Sequence, residues 1–193
     1  MLPLIYHASY SKLALPSKHR FPATKYLYLY QYLLEQGIAQ QSQFIAAEKV
    51  SAEKLSSIHC HLYASQFING TLDAKSMRRI GFPWSETLVE RTLRSVAGTE
   101  LTCLKALESE CALHLSGGYH HAHHQFGSGF CIFNDLVYAA QQMLLRSDIE
   151  TVLIFDCDVH QGDGTATIAA SFDNIITCSI HCQQNFPARK QQS

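Results

Sequence analysis

The sequence predicts an α/β domain built on a mostly parallel sheet. Three short apolar runs, residues 112–115, 151–155 and 175–180, alternate with helical patterns over 134–145 and 165–171. Strand–helix–strand–helix–strand order implies parallel strands joined by right-handed crossovers. Each run also ends in Gly, Asp or His: Ser116-Gly117-Gly118, Asp156 and His181. Ligands of such sheets bind beyond the carboxyl ends of the strands, so the chemistry is expected along one rim. Finally, 47% hydrophobic and 16% charged residues in 193 suit a single packed domain and argue against disorder.

The remaining elements follow in chain order. Residues 2–7 read as a short strand and 19–22 as a loop. Apolar residues at 26, 29, 30, 33 and 34 have helical spacing, predicting a helix over 25–36 that stops at Gly37. Residues 44–50 and 52–67 read as two further helices, the second sending Leu55, Ile58, Leu62, Ala64 and Phe67 to the core. Residues 81–84 form a loop. Ser85 caps a helix to about Val96, Gly98 interrupts it, and Thr99 caps another to about Ser109.

Charge and cysteine content limit the function classes. Fifteen basic and 16 acidic residues leave a formal charge of −1, with no footprint for nucleic acid or a membrane surface. No apolar run is long enough to span a bilayer, and the first ten residues lack the basic region of a secretory signal. Seven cysteines without a Cys-x-x-Cys pair read as reduced thiols, which predicts a cytoplasmic protein.

Eleven His are present, five of them within residues 114–124. The strongest constellation is Asp156-Cys157-Asp158-Val159-His160-Gln161-Gly162-Asp163-Gly164. On an extended backbone Asp156, Asp158 and His160 share one face. Two carboxylates and an imidazole at one spot are costly unless a cation neutralises them, and this donor set suits Zn²⁺ or another first-row divalent ion. Asp163, between glycines, sits in a turn that reaches back toward the site. Cys157, on the opposite face, is expected in the core. In Gly117-Gly118-Tyr119-His120-His121-Ala122-His123-His124, an irregular backbone lets His120 and His121 both enter a cleft. Neutral imidazoles there serve as general bases, with Asp156 and Asp163 as partners. His123 and His124 read as solvated loop positions, and His181 as a packed strand-end residue. In Gly127-Ser128-Gly129-Phe130-Cys131-Ile132-Phe133-Asn134-Asp135, Phe130 is placed to wall an apolar channel, and Asn134 or Asp135 to cap the next helix.

These three motifs, in this order, resemble the zinc-dependent histone deacetylases of the arginase/deacetylase fold. His19-Arg20-Phe21-Pro22 and Arg78-Arg79-Ile80-Gly81-Phe82-Pro83-Trp84 resemble the bacterial and class IV branch. The resemblance implies a three-layer αβα architecture and removal of acetyl groups from acetyl-lysine, an acetylated polyamine or another small amide. It implies Asp158 and His160 as zinc ligands, and His120 and His121 as the paired histidines, partnered by Asp156 and Asp163. Gly129 would offer its carbonyl to the substrate amide, with Phe130 and Phe186 as channel walls. Asp156, Asp158, His160, Ser179 and Ile180 would form a structural potassium site.

The family pattern also includes a third ligand, an Asp on a later strand, and a later Tyr that holds the oxyanion. No Asp follows Asp173 and no Tyr follows Tyr138. The expectation is therefore the N-terminal portion of such a domain, 1–193, with its sheet incomplete on the C-terminal side and its activity impaired. Two alternatives are an inactive remnant that binds a metal or a partner, and an arginase-like manganese ureohydrolase. The paired His after Gly-Gly and the Phe-lined channel argue against the second.

Overall fold

The computed structural model describes residues 1–192; Ser193, the last residue of the expected domain, lies outside the described residues. All pairs of strands among the described residues are parallel. Strand β1 (Leu4–Ile5) lies between β2 (Phe44–Ile45) and β3 (Leu113–His114), while β4 (Val152–Asp156) pairs with β5 (Ile175–Ser179) from Val152↔Ile175 to Asp156↔Ser179. The run at 112–115 thus pairs with the N-terminal strand, not with β4. No helix among the described residues is long and apolar enough to cross a membrane.

The helices are α1 (Lys25–Glu35), α2 (Ala52–Leu55), α3 (His61–Ile68), α4 (Ala74–Ile80), α5 (Glu86–Ser109), α6 (Asp135–Leu144) and α7 (Asp163–Ala169). The main core packs Leu88, Val96, Val137, Tyr138, Ile154, Ile168 and Ile175 from α5, α6, β4, α7 and β5 together with Leu55, Phe67 and Phe133. A second cluster joins Leu4, Tyr6 and Tyr10 to Tyr26 and Leu115. Burial of such apolar area is the main favourable term in folding. On β4 and β5, by contrast, Leu153, Phe155 and Ile176 remain more than half exposed.

Four expectations change. Residues 44–50 form β2 and an extended segment; a short apolar run fits helix or strand equally well, and here the edge of β1 decides, with Tyr6 N–H bonding Ile45 O at 3.0 Å. The stretch 52–67 breaks into α2 and α3. The Ser56 and Ser57 hydroxyls donate to the carbonyls of Ala52 and Lys54, serine side chains competing with the helix ladder. The chain then dips to bury Ile58 and His59, and Leu62 faces solvent at 62% exposure. Helix α4 was not foreseen, although Asp73 caps it through Lys75 N and Ser76 N and Gly81 ends it at φ 92°.

The fourth concerns α5, which runs unbroken through Gly98. A Cβ there would stand 2.5 Å from His114 Nε2 and 2.7 Å from the Tyr10 hydroxyl. Gly98 is a close-approach residue that lets β3 and the N-terminal segment pack on the helix. Gly98→Ala should therefore destabilise the protein by about 1–3 kcal/mol in urea unfolding, as overpacking does. Helix propensity alone predicts the reverse, a gain of about 1 kcal/mol.

Candidate active site

Two imidazole–carboxylate pairs define the site. The Gly117-Gly118 turn after β3 delivers His120 and His121, and the tip of β4 and the start of α7 deliver Asp156 and Asp163. His120 Nδ1 and Asp156 Oδ2 are 2.6 Å apart, as are His121 Nδ1 and Asp163 Oδ1. With Nδ1–H donating to the carboxylate, Nε2 of each ring is left as the basic nitrogen. The two rings lie 4.1 Å apart, and His121 stands 5.8 Å from His160 and 4.9 Å from Phe186. Asp158 Oδ1 and His160 Nδ1 approach to 3.0 Å. All these groups except the paired carboxylates, together with Gly129 and Phe130, line one cavity of about 800 Å³.

Electrostatics follow from burial and pairing. For His120, burial works to lower the pKa, but the bond to and charge of Asp156, aided by Asp158 and Asp163, raise it above the usual histidine value. For Asp156, burial works upward and is outweighed by His120 and the Asp158 N–H, so its pKa falls. Asp163 is held well below the usual carboxylate range because its bonds to His121 and His123 overcome its desolvation.

The strand alternation expected for Asp156, Asp158 and His160 stops early. β4 ends at Asp156, and the next residues turn, with Asp158 N–H bonding Asp156 Oδ1 at 2.9 Å and His160 N–H bonding Asp158 Oδ1 at 2.7 Å. It is this bend that sets Asp158 beside His160. Cys157 is consequently exposed, not in the core. His123 is not a solvated loop residue either: its Nε2 lies 3.2 Å from Asp163 Oδ2, so one carboxylate serves two rings. His124 is exposed, although its Nδ1 reaches Ile58 O at 2.8 Å. Gly162 makes room for the first pair, since a Cβ would meet Asp156 Oδ2 at 2.6 Å.

At the rim, Gly129 is exposed, and Phe130, at φ 67°, is fastened by its N–H to Ile80 O at 2.8 Å. Phe186 is 47% exposed and meets His121 edge-on. Ser179 lies opposite Asp156 in register and the Ile180 N–H bonds Asp156 O, while Ser179 Oγ turns to His181 Nδ1 at 2.9 Å.

As a fit for zinc, Asp158 and His160 present one oxygen and one nitrogen side by side. Two donors on one tetrahedral zinc stand about 3.4 Å apart, close to the spacing found. Among the described residues no group of three or more His, Cys, Asp or Glu suited to hold a metal ion is assembled.

Two supporting residues lay outside the sequence reading of the site. His59, 1% exposed, has Nδ1 3.0 Å from His123 O, while its Nε2 accepts the Asn134 N–H at 2.9 Å. Asp135, fully buried, accepts the N–H groups of Gly118 (3.0 Å) and Tyr119 (2.7 Å) and the Thr99 hydroxyl (2.5 Å). It thereby fastens the turn that carries His120 and His121. The helix-capping signal at 134–135 was legible, and Asn134 does cap α6 through Val137 N. That its neighbour holds a turn 16 and 17 residues away was not.

Residues 19–193 match the family model described as histone deacetylase domain, and the chain belongs to that family. It is 44% identical over 191 residues to an uncharacterized protein of Picosynechococcus sp., covering 99% of this chain and 63% of that protein. It is 24% identical to histone deacetylase 2 of Arabidopsis thaliana (95% and 50% covered) and 27% identical to the acetoin utilization protein AcuC of Staphylococcus xylosus (86% and 45%). The chain thus spans about half to two thirds of the length of these relatives. Among solved structures, the HDA15 HD domain superposes with a TM-score of 0.80 at 16% identity (97% of this chain, 56% of that one). An HDAC homolog complexed with SAHA gives 0.80 at 19% (98% and 54%). At these identities the likeness establishes the fold, the three-layer α/β arginase/deacetylase architecture.

Two measurements probe the supports. Asp135→Asn places an amide N–H against one of three donors and should cost about 1–3 kcal/mol in urea unfolding, the price of an unsatisfied buried group. The second is pH dependence. Burial lowers the pKa of His59 to about 4 and that of His114 to about 3, from an ordinary 6.5. Below 6.5 the unfolded chain takes up protons that the folded chain refuses. The stability these two residues contribute is complete above that pH and declines as pH falls toward 4, by about 1.4 kcal/mol per pH unit for each. His120, with its raised pKa, acts in the opposite sense: its contribution is present below 6.5 and lost as pH rises through its folded value. Urea unfolding at pH 7 and pH 5 should show the loss on acidification, and His59→Gln should flatten it.

Proposed function

We propose that this chain carries the proton-transfer and channel half of a zinc-dependent deacetylase acting on acetyl-lysine or a related acetylated amine. The observation that carries this reading is the pair of His–Asp couples whose imidazoles line a cavity that Asp158 and His160 also line. Family membership and the site together favour hydrolysis of an amide C–N bond over the ureohydrolase alternative.

Asp158 Oδ1 and His160 Nδ1 would hold the zinc ion. When bound, zinc supplies Lewis-acid polarisation of the acyl carbonyl and a lowered pKa for a coordinated water. The rest falls to the protein's own groups. Asp163 fixes the Nδ1–H tautomer of His121, so Nε2 takes a proton from the attacking water and returns it to the leaving amine nitrogen. His120, kept more readily protonated by Asp156, stabilises negative charge as it develops. Phe130 and Phe186 exclude water from the acyl-lysine stem, and the Gly129 carbonyl accepts the substrate amide N–H. A structural potassium ion would be held at the β4–β5 tip by oxygens of Asp156, Asp158, His160, Ser179 and Ile180.

Two donors hold zinc less tightly than the three protein ligands usual in catalytic sites. The 193-residue chain alone is therefore expected to bind zinc weakly and turn over slowly. Acetate release from an acetyl-lysine peptide in zinc-containing buffer, with metal content measured in parallel, tests both points. His121→Ala should cut any measured rate by about 10²–10⁴-fold. A rate indifferent to His121 would refute the assignment, and tight one-to-one zinc in the isolated chain would refute the weakness.

A further inference from the structure

The cavity that holds His120 and His121 has an uneven charge at its mouth. Arg20, Lys25 and Arg79 line it, and the only carboxylate among its lining residues is Asp158, which faces His160. All three cations are exposed, and none forms an ion pair among the described residues. The other surface cations that do pair, such as Arg146 with Asp148 at 2.8 Å, have their charge answered by a neighbour.

The backbone around Arg20 and the side chains of Arg79 and Lys25 are also held in place. His19 Nε2 bonds the Gly81 carbonyl at 2.8 Å, and His19 Nδ1 accepts the Phe21 N–H at 3.1 Å. The His19 ring stacks on Phe82 at 5.5 Å and 7°. The backbone on either side of Arg20 is thus locked to the end of α4, where Arg79 sits. Phe130, bonded through its N–H to Ile80 O, ties the channel wall to the same corner. The Arg79 guanidinium lies 4.6 Å from the Phe126 ring centroid, and Lys25 Nζ lies 5.0 Å from that of Tyr26. Aromatic faces position these cations without neutralising them.

From this we infer that the site selects acetyl-lysine set in an acidic peptide segment, its flanking carboxylates meeting Arg20, Arg79 and Lys25 at the rim. The inference rests on the deacetylase reading and deepens it. An acetylated lysine is neutral, so charge selection falls to the residues beside it. An acetylated polyamine keeps a distal ammonium, which this mouth repels, and a lysine-rich segment meets the same repulsion. Charge complementarity of this kind chiefly sets specificity and association rate.

The test is binding of fluorescent peptides to the full 193-residue chain by anisotropy. Acetylated and unacetylated forms of one sequence are compared, flanked either by Asp and Glu or by Lys and Arg, at low and high ionic strength. The acidic acetylated peptide should bind about five- to tenfold more tightly than the basic one, a margin that shrinks with salt. The double variant R20E/R79E, altered only at exposed positions, should abolish or reverse the preference, and N-acetylputrescine should compete poorly. Acetyl-dependent binding with no preference for flanking charge, or a preference untouched by R20E/R79E, overturns the inference and leaves the deacetylase reading standing. Binding that ignores the acetyl group, or no binding of any peptide, overturns both.

Discussion

The bonds from His120 to Asp156 and from His121 to Asp163 are the constraint on which the rest of this site depends. Each is 2.6 Å long and joins a residue beyond β3 to one at the end of β4 or at the start of α7. They draw together the ends of two strand sets that share no ladder, β2-β1-β3 and β4-β5. Buried imidazoles and carboxylates are costly singly and tolerable as pairs. Bringing the strand ends together and fixing the tautomers of the two imidazoles therefore depend on the same two contacts.

Around that constraint the protein builds supports from neighbouring elements. Asp135 holds the turn from the α6 side and is linked through the Thr99 hydroxyl to His114 Nδ1 at 3.0 Å, whose Nε2 meets the Tyr10 hydroxyl at 3.0 Å. Tyr10, Thr99, His114 and Asp135 thus form one polar chain across the N-terminal segment, α5, β3 and α6. Gly98 is the vacancy that lets this chain pass beside α5. On the other flank His59 grips the His123–His124 backbone and the N-terminus of α6. A site supported in this way holds its geometry through side chains outside its His–Asp pairs.

The uneven exposure of the molecule follows the same division. The faces of α6 and α7 that meet β4 and β5 are buried, whereas Leu153, Phe155 and Ile176 are not. Asp158 and His160 lie at the same end, with side chains 49% and 38% exposed, against 9% and 5% for His120 and His121. The two His–Asp pairs are thus enclosed within this chain, and Asp158 and His160 sit at its open side.

Much of this was readable from residue order because the relevant signals are local. Apolar runs gave β3, β4 and β5, helical spacing gave α1 and α6, and Asp-x-Asp-x-His beside Gly-Gly-x-His-His carried the family. Three of the failures share a cause: each depends on what lies opposite. Gly98 reads as a helix breaker until His114 and Tyr10 are seen against it, and residues 44–45 read as helix until β1 offers a parallel edge. His123 looks like a loop residue until Asp163 is found to have a second oxygen free for it. Periodicity and capping are properties of neighbours in the chain, and these the amino-acid order carries. Which strand pairs with which, which glycine must be small and which carboxylate serves two rings are properties of contacts between distant segments, and only the packed molecule brings those segments into contact.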